Sequence, residues 1–194
     1  MLLVICLVIW YNQSGDNVRV ISGKYKGKKL AGFDIDGTRP TMDRVKESLF
    51  ASIQNYVKDS NVLDLFAGSG SLGIEALSMG SKSCTFVDHN KMVYDILKEN
   101  TKDIDNCIIV KKDYKDALID FKNAKSKFDL ILLDPPYNLN LINNCLEKIN
   151  EYDLLSSNGI IVCEYENEKI QTNKFELVKN KKYGSKFIDI YRGV

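Results

Sequence analysis

Apolar residues recur at two different spacings along this chain, and the change of spacing divides it. Met42, Val45, Leu49, Ile53 and Tyr56 step by three and four residues, the spacing of one helix face, and Thr41 is placed to cap that helix. Beyond Asn61, short unbroken apolar runs alternate with helix-spaced segments. The runs "NVLDLF", "SCTFVD", "CIIVKKD", "FDLILLD" and "GIIVCEY" read as strands buried on both faces. Between them lie four segments with helical spacing: "SLGIEALSMG", closed by Gly80; "HNKMVYDILKENT", with Met92, Ile96 and Leu97 inward; "YKDALIDFK"; and "LINNCLEKI". The closing "KFELVKNKKYGSKFIDIYR" predicts two strands around a turn at Tyr183 and Gly184. Near the start, "VRVISGKYKGKKL" predicts a small hairpin turning at Gly23 and Gly27. Repeated strand–helix units imply a mostly parallel sheet with helices on both faces and an antiparallel hairpin at the C-terminal end. Ligands in such sheets bind at the carboxyl ends of the strands, near the switch in strand order.

A length of 194 residues suits one α/β domain with an appendage. The expected divisions are an apolar extension over 1–17, a hairpin and helix over 18–57, and the main domain over 58–194. The opening "MLLVICLVIW" has ten apolar residues, against the roughly 20 that span a bilayer. No basic segment precedes it, so a signal peptide fits poorly. No membrane partner is expected, and the extension carries no functional argument. The five cysteines lack any C-x-x-C pair and sit mostly in apolar runs. They read as reduced core residues of a cytoplasmic protein. With a single histidine, no metal site is expected.

Formal charge is only +1, but its distribution is uneven. Arg19, Lys24, Lys26, Lys28 and Lys29 crowd the hairpin with no acid among them, and Lys174, Lys179, Lys181, Lys182, Lys186 and Arg192 crowd the C-terminal strands. If the two ends meet, they make a basic surface suited to a polyanion; solvated lysine-rich segments are the plainer alternative.

"LDLFAGSGSLG" places Gly68-x-Gly70-x-x-Gly73 between a strand and a helix. Such a loop holds either a dinucleotide pyrophosphate or the methionine end of S-adenosylmethionine. Asp64, just before it, would repel a pyrophosphate but attract an ammonium. Asp88 ends the second strand, where a carboxylate can accept ribose hydroxyls in either class. Asp113 ends the third and either meets an adenine amine or caps the next helix. The deciding stretch is "FDLILLDPPYN". Pro135 and Pro136 stop the strand in a stiff extended turn, fixing Asp134 and projecting the Pro135 carbonyl and the Tyr137 ring. A planar exocyclic amine needs such acceptors for its N–H bonds and a ring to stack on.

These residues resemble a known family. "DLFAGSGSLGIEALSMG", "FVD" and "LILLDPPY" look like class I S-adenosylmethionine-dependent methyltransferases that act on amines, a Rossmann-like fold with a seven-stranded sheet. "VRVISGKYKGKKL", "TRPTMDRVKESLF" and "YGSKFIDIYR" resemble the bacterial RsmD family, whose members methylate the N2 of a guanine in 16S ribosomal RNA. The resemblance covers residues 18–194. It implies Asp64, Phe66, Ala67, Gly68, Ser69 and Gly70 around the methionine, Asp88 at the ribose, and Asp113 and His89 beside the adenosine. Arg39 and Thr41 would cover the cofactor, and Arg44 would meet a carboxylate or RNA phosphates. Asp134, Pro135, Pro136 and Tyr137 would hold the target amine, while Arg19, Lys24, Lys26, Lys28 and Lys29 would grip the RNA. A monomer acting on 16S rRNA, within small-subunit particles, is the expected form. A DNA-adenine or protein-glutamine methyltransferase, and a non-catalytic RNA-binding module on the same fold, are the alternatives.

Overall fold

The computed structural model describes residues 18–32, 39–136 and 141–194; the extension over 1–17 lies outside them. A two-stranded antiparallel piece, β1 (Val18–Arg19) and β2 (Lys29–Leu30), precedes α1 (Arg39–Val57). The main body runs β3 (Asn61–Asp64), α2 (Ser71–Ser78), β4 (Ser83–Asp88), α3 (Lys91–Thr101), β5 (Cys107–Lys111), α4 (Tyr114–Asn123), β6 (Phe128–Leu133), α5 (Leu141–Glu151) and β7 (Leu155–Tyr165). The hairpin of β8 (Phe175–Tyr183) and β9 (Lys186–Gly193) closes the chain. The sheet has seven strands in the order β5-β4-β3-β6-β7-β9-β8, parallel from β5 to β7 and antiparallel beyond. This is the expected α/β architecture. Its direction of growth reverses between β3 and β6, which makes that boundary the switch point.

Alternation along the strands feeds two cores. Val62, Phe86, Leu130, Leu132, Ile160, Val162, Ile188 and Ile190 face α1, α2 and α3, and the hairpin residues Val20 and Leu30 join them. Leu63, Val87, Ile131, Leu133, Ile161, Cys163 and Tyr191 face α4 and α5. Cys84, Cys145 and Cys163 are free and buried, as apolar runs imply. No helix among the described residues is long and apolar enough to cross a membrane.

Three local expectations are corrected. The helix begins at Arg39, so Thr41 lies in its first turn and is not its cap; Pro40 fits there because early helical N–H groups have no intrahelical partner. Val57, fully buried, takes the inward place expected of Tyr56, which is 41% exposed. Likewise Val93 is buried where Met92 was expected, and Met92 is 56% exposed. A 3.6-residue turn leaves the choice between neighbouring positions open at a helix end.

The basic hairpin is not a free arm. Glu75 on α2, 1% exposed, accepts from the N–H groups of Ile21 and Ser22 and from the Ser22 hydroxyl, at 2.8–3.1 Å. Lys46 of α1, also buried, lies 3.2 Å from Glu75 and donates to the Arg19 carbonyl at 2.7 Å. Burial pulls the Lys46 ammonium below its ordinary pKa, and Glu75 offsets part of that. Gly23 is needed at this contact, since a Cβ there would stand 1.8 Å from the Ser78 carbonyl oxygen.

Candidate functional site

β3 delivers Asp64 to the carboxyl edge of the sheet and the chain turns at once through Phe66, Ala67, Gly68, Ser69 and Gly70 into α2. Gly68 and Gly70 have φ of 51° and 82°, the left-handed region that glycine enters without a Cβ penalty. A Cβ on Gly68 would meet nothing within 4 Å, so that side of the loop is open to a ligand. Gly73 serves packing: a Cβ there would come within 2.3 Å of Phe86, and its absence lets α2 lie close on β4. The Ser69 carbonyl accepts from the Asn100 amide at 2.8 Å, and the same side chain pairs with both backbone groups of Ala31. Phe66 packs its ring 5.3 Å from that of Tyr114.

Four carboxylates gather along this edge. Asp64 is 1% exposed and accepts from the Gly73 N–H at 3.0 Å. Burial pushes its pKa up to about 7, with Gly73 opposing and Asp88 adding to the rise. A buried carboxyl of this kind suits a ligand ammonium, which would draw the proton off and restore the charge. Asp88 accepts from Gly68 N–H at 3.2 Å and Asn90 N–H at 2.9 Å, which fixes its side chain beside the loop. His89 is exposed at 74% and 3.9 Å from Asp88, a placement at the rim. Asp113 caps α4 by accepting from the Lys115 N–H at 2.9 Å, one of the two roles expected of it. These groups and the open loop fit the ammonium, hydroxyls and carboxylate of S-adenosylmethionine.

Asp134 follows β6 directly, partly buried, with Pro135 buried and Pro136 exposed. Tyr137 lies outside the described residues, as do the side chains of Arg39 and Thr41. The pairing of β6 with β7, through Leu132 with Val162 and Leu133 with Cys163, brings Glu164 abreast of Asp134 on the same face. Burial raises the Asp134 pKa well above the usual carboxylate range, Glu164 and Asp64 raise it further, and Lys186 opposes them. Lys186 lies 2.6 Å from Glu164. The sequence reading did not single out Glu164; the signal was a polar residue ending an apolar strand, as at Asp64 and Asp134. A cavity of about 330 Å³ opens at the opposite, amino edge, between Asn150, Ser156, Lys174 and Val194. It is remote from the four carboxylates and holds none of them.

The expected RNA-contacting cations divide. Arg19 pairs with Asp43, Lys24 with Asp105 and Lys28 with Asp103, at 3.2, 3.2 and 3.6 Å. Lys26 and Lys29 have no carboxylate partner among the described residues, and Arg44 is exposed. At the other end, Lys179 and Lys181 donate to Ser52 and Ser48 of α1, which sets that lysine row beside the helix.

A family model described as conserved hypothetical protein 95 matches residues 18–192. The chain is 39% identical over 181 residues to the provisionally named rRNA methyltransferase YlbH of Bacillus subtilis, covering 90% of this chain and 98% of that one. It is 37% identical over 179 residues to ribosomal RNA small subunit methyltransferase D of Haemophilus influenzae, covering 89% and 92%. The crystal structure of a provisionally named methylase from Haemophilus influenzae superposes with a TM-score of 0.74 at 33% identity, covering 92% of this chain and 99% of that one. With the expected fold, the glycine loop and the Asp-Pro-Pro turn all in place, this chain belongs to the RsmD family.

Proposed function

We propose that the chain is a methyltransferase that moves a methyl group from S-adenosylmethionine to the exocyclic N2 of a guanine in small-subunit ribosomal RNA. The observation that carries the reading is the placement of Asp134-Pro135-Pro136 beside the Asp64–Gly70 loop at the switch point of the sheet. Similarity to ribosomal RNA small subunit methyltransferase D along most of the chain names the substrate class.

S-adenosylmethionine, when bound, supplies a methyl group made electrophilic by its sulfonium. The rest falls to the protein. Asp64 answers the ligand ammonium, and the first N–H groups of α2 face its carboxylate. Asp88 accepts the ribose hydroxyls, with Asp113 and His89 at the adenosine side and Arg39 and Thr41 over the cofactor. The Asp134 carboxylate and the Pro135 carbonyl accept the two N–H bonds of the target amine while Tyr137 stacks on the base. That aims the nitrogen lone pair at the methyl carbon, which is catalysis by orientation. The guanine must leave its stack to reach this edge. Lys26, Lys29 and Arg44 then serve the flanking phosphates, joined by Arg19, Lys24 and Lys28 as their solvent-accessible ion pairs exchange for RNA. The protein acts as a monomer in the cytoplasm on 16S rRNA within small-subunit particles, with 18–57 as its RNA-facing part, 58–194 as its methyltransferase part and 1–17 outside both.

The test is incubation with methyl-labelled S-adenosylmethionine and small-subunit particles or rRNA from a strain lacking its own enzyme, followed by nucleoside analysis. N2-methylguanosine is the expected product. N6-methyladenosine in DNA, methylated glutamine in protein, or no label at all would overturn the reading. Asp134→Ala should abolish transfer while cofactor binding persists; unchanged turnover would refute its role.

A further inference from the structure

Three strands bring three charged side chains together beside the turn that holds Asp134, and only one of them has a role so far. Continuing the β6–β7 register one step past Leu133 and Cys163 sets Asp134 next to Glu164. Side chains at the same level and parity on adjacent parallel strands share one face. Glu164 itself is buried at 8% exposure, and its Oε1 takes the Lys186 ammonium at 2.6 Å. Lys186 stands at the start of β9, and β9 runs antiparallel to β7, so the β8–β9 turn lies at the same carboxyl edge. Two carboxylates side by side, with one ammonium fixed on the outer member, is a built arrangement and not a solvated surface pair.

We propose that Glu164 is a positioning residue for methyl transfer, anchored by Lys186, whose carboxylate makes Asp134 the site that takes the proton released by the methylated amine. The inference rests on the reading of Asp134 as acceptor for the amine. As the N–C bond forms from the nitrogen lone pair, the C–S bond breaks and its electron pair stays on sulfur. The nitrogen then carries one proton too many. Asp134 takes it, becomes a neutral acid and returns the proton to water after product leaves. A carboxylate beside a second carboxylate holds a proton more firmly than one alone, so Glu164 makes Asp134 a better acceptor. Among the described residues, Glu164 from β7, Lys186 from β9 and Asp64 from β3 face Asp134, and their directions agree with this assignment: Glu164 and Asp64 favour the protonated form and Lys186 the ionised form.

The two flanking charges act in opposite directions, which makes the inference testable. Asp134 must be ionised to take a proton, so activity rises with pH as the Asp134 carboxyl loses its own. Glu164→Gln removes the neighbouring negative charge and moves that acid limb to lower pH, by roughly one unit. Lys186→Gln removes the positive charge and moves it to higher pH by a similar amount. The same opposite displacements are expected in carboxyl carbon NMR titrations of the protein alone, which need no RNA and no cofactor. A structural ion pair with no influence on Asp134 would lower stability or activity at every pH and leave both the limb and the titration where they are; that result overturns the proposal. Should Glu164→Gln fail to fold, Lys186→Gln, at a more exposed position, decides alone by the direction of its shift. Identification of the methylated nucleoside is a separate readout, so a wrong base would sink the guanine assignment without touching the titration result.

Discussion

Asp64 is the residue at which stability and ligand binding pull apart, and Asp64→Asn separates them. In the folded chain its carboxyl is pushed up to about 7 by burial, against the Gly73 N–H and with help from Asp88; in the unfolded chain it returns to about 3.9. A carboxyl whose pKa rises on folding takes up a proton on folding. Its contribution is therefore fully present below about pH 4 and is lost as pH climbs through 7. About three pH units at about 1.4 kcal/mol each give a loss of roughly 4 kcal/mol by pH 8. The amide of the variant does not titrate and still accepts from Gly73, but its NH2 buries two donors at a cost of about 1–3 kcal/mol at every pH. The variant should thus be less stable than the parent at pH 4 and more stable at pH 8, with a crossing between. Urea unfolding of both chains at pH 4, 6 and 8 measures this, and the difference between them cancels every titration they share. A difference that stays flat across that range would refute the raised carboxyl. In the same variant, loss of the charge proposed to meet the ligand ammonium should weaken S-adenosylmethionine binding at pH 8 by at least about tenfold, read by calorimetry. A more stable chain that binds its cofactor worse is the expected signature.

Three further outcomes follow from the docked hairpin. Glu75→Ala strands the Lys46 ammonium in a buried site, and should cost roughly 3–5 kcal/mol in a urea unfolding series; an unmoved midpoint would mean that the clasp contributes nothing. Gly23→Ala drives a Cβ into the Ser78 carbonyl at a backbone φ of 75°, so exchange of the Ile21, Ser22 and Tyr25 amides should speed by at least about tenfold while sheet amides keep their rates. Asp103→Asn with Asp105→Asn releases Lys28 and Lys24 from their partners and should strengthen RNA binding, steepening the salt dependence by about 0.7 per phosphate gained. Equal affinity and slope for parent and variant would take the hairpin out of the RNA interface.

How much of this was legible in the sequence depended on how local each signal was. The five apolar runs became β3 to β7 because strands buried on both faces leave an unbroken apolar record. Asp64, Asp88 and Asp134 stood out against those runs, since a carboxylate at the end of an apolar strand has few structural reasons to be there. Glu164 ends a run in the same way, yet Glu166 and Glu168 follow it closely and make it look like the start of a solvated acidic loop. Its partnership with Asp134 exists only in the register of β6 with β7, and that of Lys186 only in the return of β9. Neither pairing leaves a trace in sequence spacing. Lys46 was hidden for a similar reason: in "RVKESLF" a lysine reads as surface, and only the fold brings Glu75 to meet it inside.

The acids that meet the hairpin cations were invisible in the sequence for a physical reason that also links the hairpin to the cleft. Arg19, Lys24 and Lys28 looked free because the acids that meet them, Asp43, Asp103 and Asp105, are remote along the chain. The loop bearing Asp103 and Asp105 follows α3, and α3 carries Asn100, whose amide holds Ala31 on one side and the Ser69 carbonyl of the glycine loop on the other. On the opposite flank Glu75, on the helix that the glycine loop starts, holds Ile21 and Ser22. The hairpin is therefore tied at both ends to the elements that frame the cofactor loop. A basic arm flexibly attached to a catalytic domain would raise local RNA concentration and leave geometry to chance. On the proposed function, one seated on α2 and α3 would set the distance between phosphates held by the hairpin and the cleft, and orientation of the target base would then depend on packing that the hairpin lysines themselves do not supply.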